Sequence, residues 1–102
     1  MPLIFIGHGS PMNALEDNVY TESWKKIARS ILEKPRAILM FSAHWMTEGE
    51  TCISTREKPG MIYDMYGFPP ELYQVEYSAP GSREIANEIM SLVHQESRIN
   101  VV

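Results

Sequence analysis

The stretch Leu3-Ile4-Phe5-Ile6-Gly7-His8 decides the fold, because a continuous apolar run ends here at a glycine followed by a histidine. A short apolar run bounded by a turn residue is typical of a strand that is buried on both faces, as in parallel sheets. Residues 37–42 read AILMFS and have the same character. We therefore predict two buried strands, at residues 3–6 and 37–42.

The segment between these two runs predicts an amphipathic helix. Its apolar residues recur at helical spacing and are Trp24, Ile27, Ala28, Ile31 and Leu32. Thr21 is expected to cap the first turn, and Pro35 is expected to stop the helix. A strand, a helix and a strand within about 40 residues form a βαβ unit, in which the two strands run parallel with a right-handed crossover.

The remainder of the chain predicts smaller elements. Residues 51–55 are expected to form a third strand, and residues 59–80 an irregular, aromatic-rich segment with one helical turn at residues 71–74. Ser82 is expected to cap a second helix. The buried stripe of that helix is expected to be Ile85, Ile89, Leu92 and Val93, and residues 99–102 are expected to begin a further strand. The predicted fold class is α/β, with a mostly parallel sheet and helices packed on its faces.

The last apolar segment bears on domain organisation. Residues 99–102 have the character of a parallel strand, yet no polar segment follows them, and chain termini usually lie at a domain surface. We interpret residues 1–102 as the N-terminal part of a single α/β catalytic domain, in truncated form. The alternative is a short edge strand at a natural C-terminus.

Composition narrows the class of protein. Hydrophobic residues make up 44% and charged residues 22% of the 102 residues, which are ordinary values for a globular domain. The net charge of −4, without a basic stripe, argues against a nucleic-acid partner. No apolar run approaches the roughly 18 residues of a membrane span, and the N-terminus lacks the basic region of a signal peptide. With Cys52 as its single cysteine, the chain suits a reducing compartment, so we expect a cytoplasmic protein.

Two histidines follow the two predicted strands. His8 lies two residues after the first strand and His44 two residues after the second. Ligands of open parallel sheets collect beyond the carboxyl ends of the strands, and neighbouring strands are about 4.8 Å apart. Two imidazoles at this separation can reach one ion, so we predict that His8 and His44 bind one metal ion. The alternative is a structural role, which is the more common one for a single histidine in a turn.

The neighbours of these histidines are candidates for substrate binding. Ser10 can hydrogen-bond an oxyanion, and Trp45 offers an apolar wall beside His44. Tyr66 and Phe68 belong to an aromatic loop that could line a pocket for a flat ring. The alternative, which the sequence slightly favours, is that these aromatic residues pack against the sheet.

Other polar residues carry weaker expectations. Asp64 is expected to cap a turn rather than to bind a metal, His94 to face solvent, and Cys52 to be an inert core residue. A serine-hydrolase site at Ser10 is set aside, because Ser10 precedes Pro11 and a long loop, and the motif G-x-S-x-G is absent.

Several blocks of the sequence together resemble one family. The blocks are residues 5–14, FIGHGSPMNA; residues 42–45, SAHW; residues 62–64, IYD; residues 66–69, YGFP; and residues 77–81, YSAPG. They resemble the 4,5-DOPA extradiol dioxygenase-like proteins, a branch of the class III extradiol ring-cleavage dioxygenases in the LigB-type superfamily. The blocks follow the order and spacing of that family across nearly the whole chain.

The resemblance implies a mononuclear site for Zn²⁺ or Fe²⁺, with His8 as the first ligand and His44 as the second. It implies iron for turnover and zinc as the ion that is found bound. The other metal-site histidines of the family, including the acid or base, come from beyond residue 102, so no catalytic acid or base is assigned within this chain. The implied substrates are a catechol, such as DOPA, and dioxygen.

Two other functions stay open on the sequence. Metal chelatases of tetrapyrrole synthesis begin with a similar strand followed by Gly-His-Gly-Ser. A non-catalytic metal-binding module is the other alternative, because two protein ligands are fewer than the three or four of ordinary zinc sites. The sequence indicates no particular oligomeric state.

Overall fold

A computed structural model describes residues 1–93 and 99–102 of the chain. These residues divide into two compact units. The first unit consists of Met1–Arg36 and Met65–Val75, and the second of Ala37–Asp64 and Glu76–Val102. Neither helix within the described ranges combines the length and the apolar composition that crossing a membrane requires. His94, which was expected to face solvent, lies outside the described residues.

The first unit is built from one α-helix and two short 3-10 helices. The 3-10 helices are Pro11–Ala14 and Pro70–Gln74, and they lie in contact with each other. Each begins at a proline, whose fixed φ angle suits a first helical position and whose missing N–H group is not needed there. Leu72 is only 2% exposed and is the buried apolar residue of this unit. The helical turn predicted at residues 71–74 is therefore confirmed.

Helix α1, Val19–Ser30, starts earlier than the sequence predicts. Its N-cap is Asn18, whose side chain accepts hydrogen bonds from the backbone N–H groups of Tyr20 and Thr21 at 3.0 and 3.1 Å. Thr21 completes a capping box instead, because its hydroxyl oxygen accepts from the backbone N–H group of Asn18 at 2.9 Å. The assignment of Thr21 as the cap was thus wrong by one turn of helix. The helix also ends before Pro35, at the extended residue Ile31.

An ion-pair network fixes the first turns of α1. Lys25 Nζ lies 2.6 Å from Asp17 Oδ1 and 2.7 Å from Glu22 Oε1. The hydrogen bond from Lys25 lowers the pKa of Asp17 below its ordinary value of 3.8. The same contact, with that to Glu22, raises the pKa of Lys25 above 10.5. All three side chains are exposed to solvent, so this network orients the start of the helix more than it stabilises the fold.

The second unit contains a pair of parallel strands and one α-helix. Strand β1 is Thr51–Ile53, helix α2 is Arg83–Val93 and strand β2 is Ile99–Val101. Thr51 pairs with Ile99 in register, and the ladder extends to a 2.8 Å hydrogen bond from the Thr55 N–H group to the Val102 carbonyl. Both strands coincide with short strands that the sequence predicts. The two strands pair in parallel, whereas a larger, mostly parallel sheet with helices packed on its faces stays a prediction.

Helix α2 begins as the sequence predicts. The hydroxyl oxygen of Ser82 accepts a 3.2 Å hydrogen bond from the Ile85 N–H group, which confirms Ser82 as the cap. The buried residue of the helix is Ala86, whereas Leu92, placed on the buried stripe by its spacing, is exposed. The other three residues of the predicted stripe, Ile85, Ile89 and Val93, are half-buried, so the prediction was wrong at Leu92.

The apolar runs at residues 3–6 and 37–42 do not form the predicted strands. Phe5 is 99% exposed and Phe41 86% exposed, so neither segment has the covering layer that a buried strand needs. Among the described residues, the strand ladder contains only β1 and β2, and no strand hydrogen-bonds to either run. Apolar composition alone does not make a strand, because its backbone N–H and C=O groups need a neighbouring strand as partner.

Candidate functional site

His8 lies in the first unit, in the turn that follows the first apolar run. Its ring atom Nδ1 is 2.9 Å from the carbonyl oxygen of Gly9. A carbonyl oxygen can only accept, so Nδ1 carries the proton in this contact and the lone pair of the neutral ring is on Nε2. Gly9 has a φ angle of +63°, in the left-handed region that favours glycine. Gly9 thus allows the sharp turn after His8, and its carbonyl oxygen holds the imidazole ring of His8.

Two asparagines connect this turn to helix α1. The side-chain amide of Asn13 donates a 2.7 Å hydrogen bond to the backbone carbonyl of His8. Asn18, the cap of α1, donates from its own amide to Asn13 Oδ1 at 2.8 Å. The backbone of His8 is therefore tied to the start of a helix through two side chains. This connection was not predicted, although asparagines in the segment before a helix are a signal of capping and turn contacts.

Ser10, a predicted substrate-binding residue, is the N-cap of the first 3-10 helix. Its hydroxyl oxygen accepts a 3.2 Å hydrogen bond from the Met12 N–H group, and its carbonyl accepts from the Asn13 N–H group at 3.0 Å. A hydroxyl that accepts with its oxygen can still donate its hydrogen. These two hydrogen bonds fix the backbone of Ser10, which lies two residues after His8 in the sequence.

His44 lies in the second unit, and its ring contacts a carboxylate. Nδ1 of His44 is 2.6 Å from Oδ2 of Asp64, and about half of each side chain is exposed. The backbone N–H group of His44 also donates to Ser42 Oγ at 3.1 Å. The expectation that Asp64 caps a turn did not anticipate this contact. Asp64 is 20 residues away in the sequence, and no local pattern links the two residues.

The two predicted ligands share one feature. Each histidine places Nδ1 on an oxygen acceptor, which is the backbone carbonyl of Gly9 for His8 and the carboxylate of Asp64 for His44. Metal-binding histidines almost always donate their second ring N–H group to a carboxylate, a backbone carbonyl or water. Both rings therefore fit coordination through Nε2. Within the described part of either unit, no cluster of three or more His, Cys, Asp and Glu side chains is placed to hold an ion.

The predicted aromatic residues are divided between the two units. Trp45 belongs to the second unit and is partly exposed, whereas Tyr66 and Phe68 belong to the first. Tyr66 is 91% exposed, and Phe68 is half-buried. The hydroxyl of Tyr73 fixes their loop: it donates to the Met65 carbonyl at 3.3 Å and accepts from the Phe68 N–H group at 3.4 Å. No role was predicted for Tyr73 from the sequence.

The second unit also has an open groove of about 710 Å³. Its lining is mixed in character and includes Lys58, Met61, Tyr63, Glu76 and Tyr77. None of the predicted site residues lines it. This groove is therefore not the predicted substrate pocket.

The chain matches one family of known proteins over almost its whole length. Residues 2–101 match the family described as the catalytic LigB subunit of aromatic ring-opening dioxygenase. A 4,5-DOPA dioxygenase extradiol of Escherichia coli (strain K12) is 50% identical over 93 residues, which are 91% of this chain and 34% of that protein. A protein of the same name from Beta vulgaris is 44% identical over 87% of this chain and 34% of its own length.

A more distant relative also matches most of this chain and a smaller part of its own length. The 4,5-DOPA dioxygenase extradiol-like protein of Schizosaccharomyces pombe is 31% identical over 93% of this chain and 38% of its own length. The chain thus spans about a third of the length of the curated relatives it matches. No solved structure matches the chain significantly.

Proposed function

Because the chain belongs to the LigB family of aromatic ring-opening dioxygenases, we propose that it contributes part of a metal-dependent extradiol dioxygenase site. The proposed substrates are a catechol, such as DOPA, and dioxygen. The family match covers nearly the whole chain, and relatives that are named DOPA dioxygenases are up to 50% identical to it over the aligned residues. The chain is thus an oxidoreductase of the dioxygenase type by family.

The proposed metal ligands are Nε2 of His8 and Nε2 of His44. The observation that carries this assignment is the shared contact of both rings, since each Nδ1 donates to an oxygen acceptor and leaves the lone pair on Nε2. When Fe²⁺ is bound, it supplies the redox chemistry by which dioxygen reacts with a catechol, whereas Zn²⁺ cannot change its oxidation state. We propose Fe²⁺ for turnover and Zn²⁺ as an ion that the same histidines retain.

Two histidines are too few for a catalytic site, because such sites use three protein ligands as a rule. We propose that the further ligands and the acid–base histidine belong to the part of the family fold that this chain does not span. The complete domain would hold a larger, mostly parallel sheet with helices packed on its faces, of which β1 and β2 are one pair. The exposed apolar runs at residues 3–6 and 37–42 support this proposal, since a larger domain gives them a surface to cover.

The remaining predicted residues are proposed to orient the catechol. The hydroxyl hydrogen of Ser10 can be donated to a phenolate oxygen, while its oxygen caps the 3-10 helix. Trp45, Tyr66 and Phe68 offer aromatic surface for a flat ring and for excluding water. Tyr66 is the best placed of the three to move onto a ligand, because its side chain is almost fully exposed.

The proposed location of the protein is the cytoplasm. A chain with a single cysteine suits a reducing compartment.

A non-catalytic metal-binding module is the second candidate. The observation that favours it is the lack, within the described residues, of a cluster of three or more metal-binding side chains. A protein of this kind would retain Zn²⁺ weakly and would not consume oxygen with any catechol.

A chimeric enzyme separates these two candidates. The matched N-terminal third of the Escherichia coli relative is replaced with this chain, and oxygen uptake with 3,4-dihydroxyphenylalanine is measured after anaerobic loading with Fe²⁺. We expect uptake by the chimera and its loss in His8→Ala and His44→Ala, with His94→Ala as the matched histidine control. A folded chimera that binds iron but consumes no oxygen would refute the dioxygenase proposal. Full metal retention in both His8→Ala and His44→Ala would refute the ligand assignment.

A further inference from the structure

The contact between Asp64 and His44 is not explained by the needs of folding. Both side chains are about half exposed, so water can solvate the carboxylate without help from the imidazole. Exposed ion pairs add little to folding stability, because Coulomb attraction is weak in water and two side chains lose freedom. The contact nevertheless joins residues 20 positions apart at 2.6 Å, which is shorter than an ordinary N–H···O hydrogen bond. The contact instead determines the tautomer and the direction of the imidazole ring of His44.

The chemistry of the carboxylate determines which nitrogen of His44 carries the proton. An ionised carboxylate only accepts hydrogen bonds, so Nδ1 must donate and must therefore be protonated. In the neutral ring the lone pair is then confined to Nε2. The ring is also fixed in direction, because the backbone N–H group of His44 is held by Ser42 Oγ while its side chain is held by Asp64. Tautomer and orientation are thus both defined within the second unit.

We propose that Asp64 is a positioning residue, which holds His44 in the Nδ1–H tautomer and directs Nε2 for metal binding. This inference rests on the proposed function, in which His44 is a metal ligand. Asp64 acts through His44 and does not itself bind the ion, since a carboxylate that contacts Nδ1 lies on the opposite side of the imidazole ring from an ion held by Nε2. Carboxylates that accept from a metal-bound histidine raise the basicity of the ring and lock its direction.

His8 offers an internal comparison for this role. The acceptor for its Nδ1 is the carbonyl of the next residue, Gly9, which no side-chain substitution removes. The acceptor for His44 is a side chain and can be deleted without altering the backbone. Variants at Asp64 should therefore change the tautomer of His44 and leave that of His8 unchanged. A general effect of lost charge or lost stability would not discriminate between the two rings.

The first measurement is the ring tautomer in the metal-free chain, from ¹⁵N chemical shifts of the histidine side chains by NMR. We expect His44 of the unsubstituted chain to be in the Nδ1–H form. Asp64→Ala should shift its population toward the Nε2–H form, and Asp64→Asn, whose amide oxygen still accepts, should preserve most of the original tautomer. Glu48→Gln removes an equal charge from an exposed carboxylate four residues after His44 and should leave the spectrum of His44 unchanged.

The second measurement is the Zn²⁺ affinity of the chimeric enzyme described above, which supplies the further ligands, from competition with a chromophoric chelator. Removing such an acceptor typically lowers metal affinity about 10- to 100-fold, so we expect that loss for Asp64→Ala, a smaller one for Asp64→Asn and none for Glu48→Gln. Circular dichroism checks that each variant keeps its helices. An unsubstituted chimera that folds but binds no Zn²⁺ would refute the proposed metal function, and the role of Asp64 with it. Unchanged tautomer or unchanged affinity in Asp64→Ala, beside an unsubstituted chimera that binds Zn²⁺, would overturn the positioning role alone.

Discussion

Leu72 is the residue whose truncation should damage the first unit most. Its side chain is 2% exposed and lies in the 3-10 helix Pro70–Gln74, which contacts the other 3-10 helix of this unit. A Leu→Ala change at a fully buried site costs about 2–5 kcal/mol, from lost burial and from the cavity that remains. A chain of 102 residues has a total stability of about 5–15 kcal/mol, so this single change should remove a large fraction of it.

Phe5→Ala is the matched control for this prediction, because Phe5 belongs to the same unit but is 99% exposed. Removing an exposed ring changes stability by about 0.5 kcal/mol or less. If residues 3–6 instead formed a buried strand, the same change would cost about 3–5 kcal/mol. The ratio of the two costs therefore distinguishes the observed exposure from the strand that the sequence predicts.

Urea denaturation measures both costs by tryptophan fluorescence. Trp24 lies in the first unit and Trp45 in the second, so a Trp45→Phe background leaves Trp24 as the reporter of the first unit. We expect the unfolding midpoint to fall strongly in Leu72→Ala and to stay nearly constant in Phe5→Ala. Equal losses in the two variants would refute the burial argument.

Three further predictions concern the elements that hold the two units in shape. Asn18→Ala removes the cap of α1 and should cost about 0.5–2 kcal/mol in urea denaturation; an unchanged midpoint would contradict this. Gly81→Ala should cost about 1–3 kcal/mol, because its new methyl group would overlap a backbone carbonyl oxygen. Gly60→Ala is the control, since the space beside Gly60 is open. The pair of Asp17 and Lys25 should support α1 above the lowered pKa of Asp17 and below the raised pKa of Lys25. Acid titration followed by helix ellipticity should therefore show a small loss below about pH 4 that Asp17→Asn abolishes, and an identical profile in that variant would argue against the contact.

The helices could be predicted from sequence because their signals are local. Periodicity placed both helices, and Ser82 was identified as a cap because a helix start depends on a few neighbouring residues. The start of α1 was misplaced by a turn since Asn18 and Thr21 are both good capping residues, and they in fact share one capping box. Local patterns thus locate a helix well and its first residue less well.

The strands could be predicted only in part, because pairing and burial depend on the rest of the fold. The apolar runs at residues 3–6 and 37–42 have stronger strand composition than Thr51–Ile53, yet only the latter is paired. Strand propensity largely measures how a side chain fits a partly buried surface. Phe5 and Phe41 are exposed and have no such surface to pack against, so their strand propensity does not lead to a strand.

The candidate site shows the same division between local and distant information. The orientation of His8 depends on Gly9, the next residue, and on Asn13, five residues away. Both contacts are local, so a sequence pattern can predict them. The orientation of His44 depends on Asp64, which an irregular segment brings back from 20 residues away. Because only the second arrangement requires tertiary structure, changes that loosen the loop around Asp64 should disturb His44 and leave His8 in place.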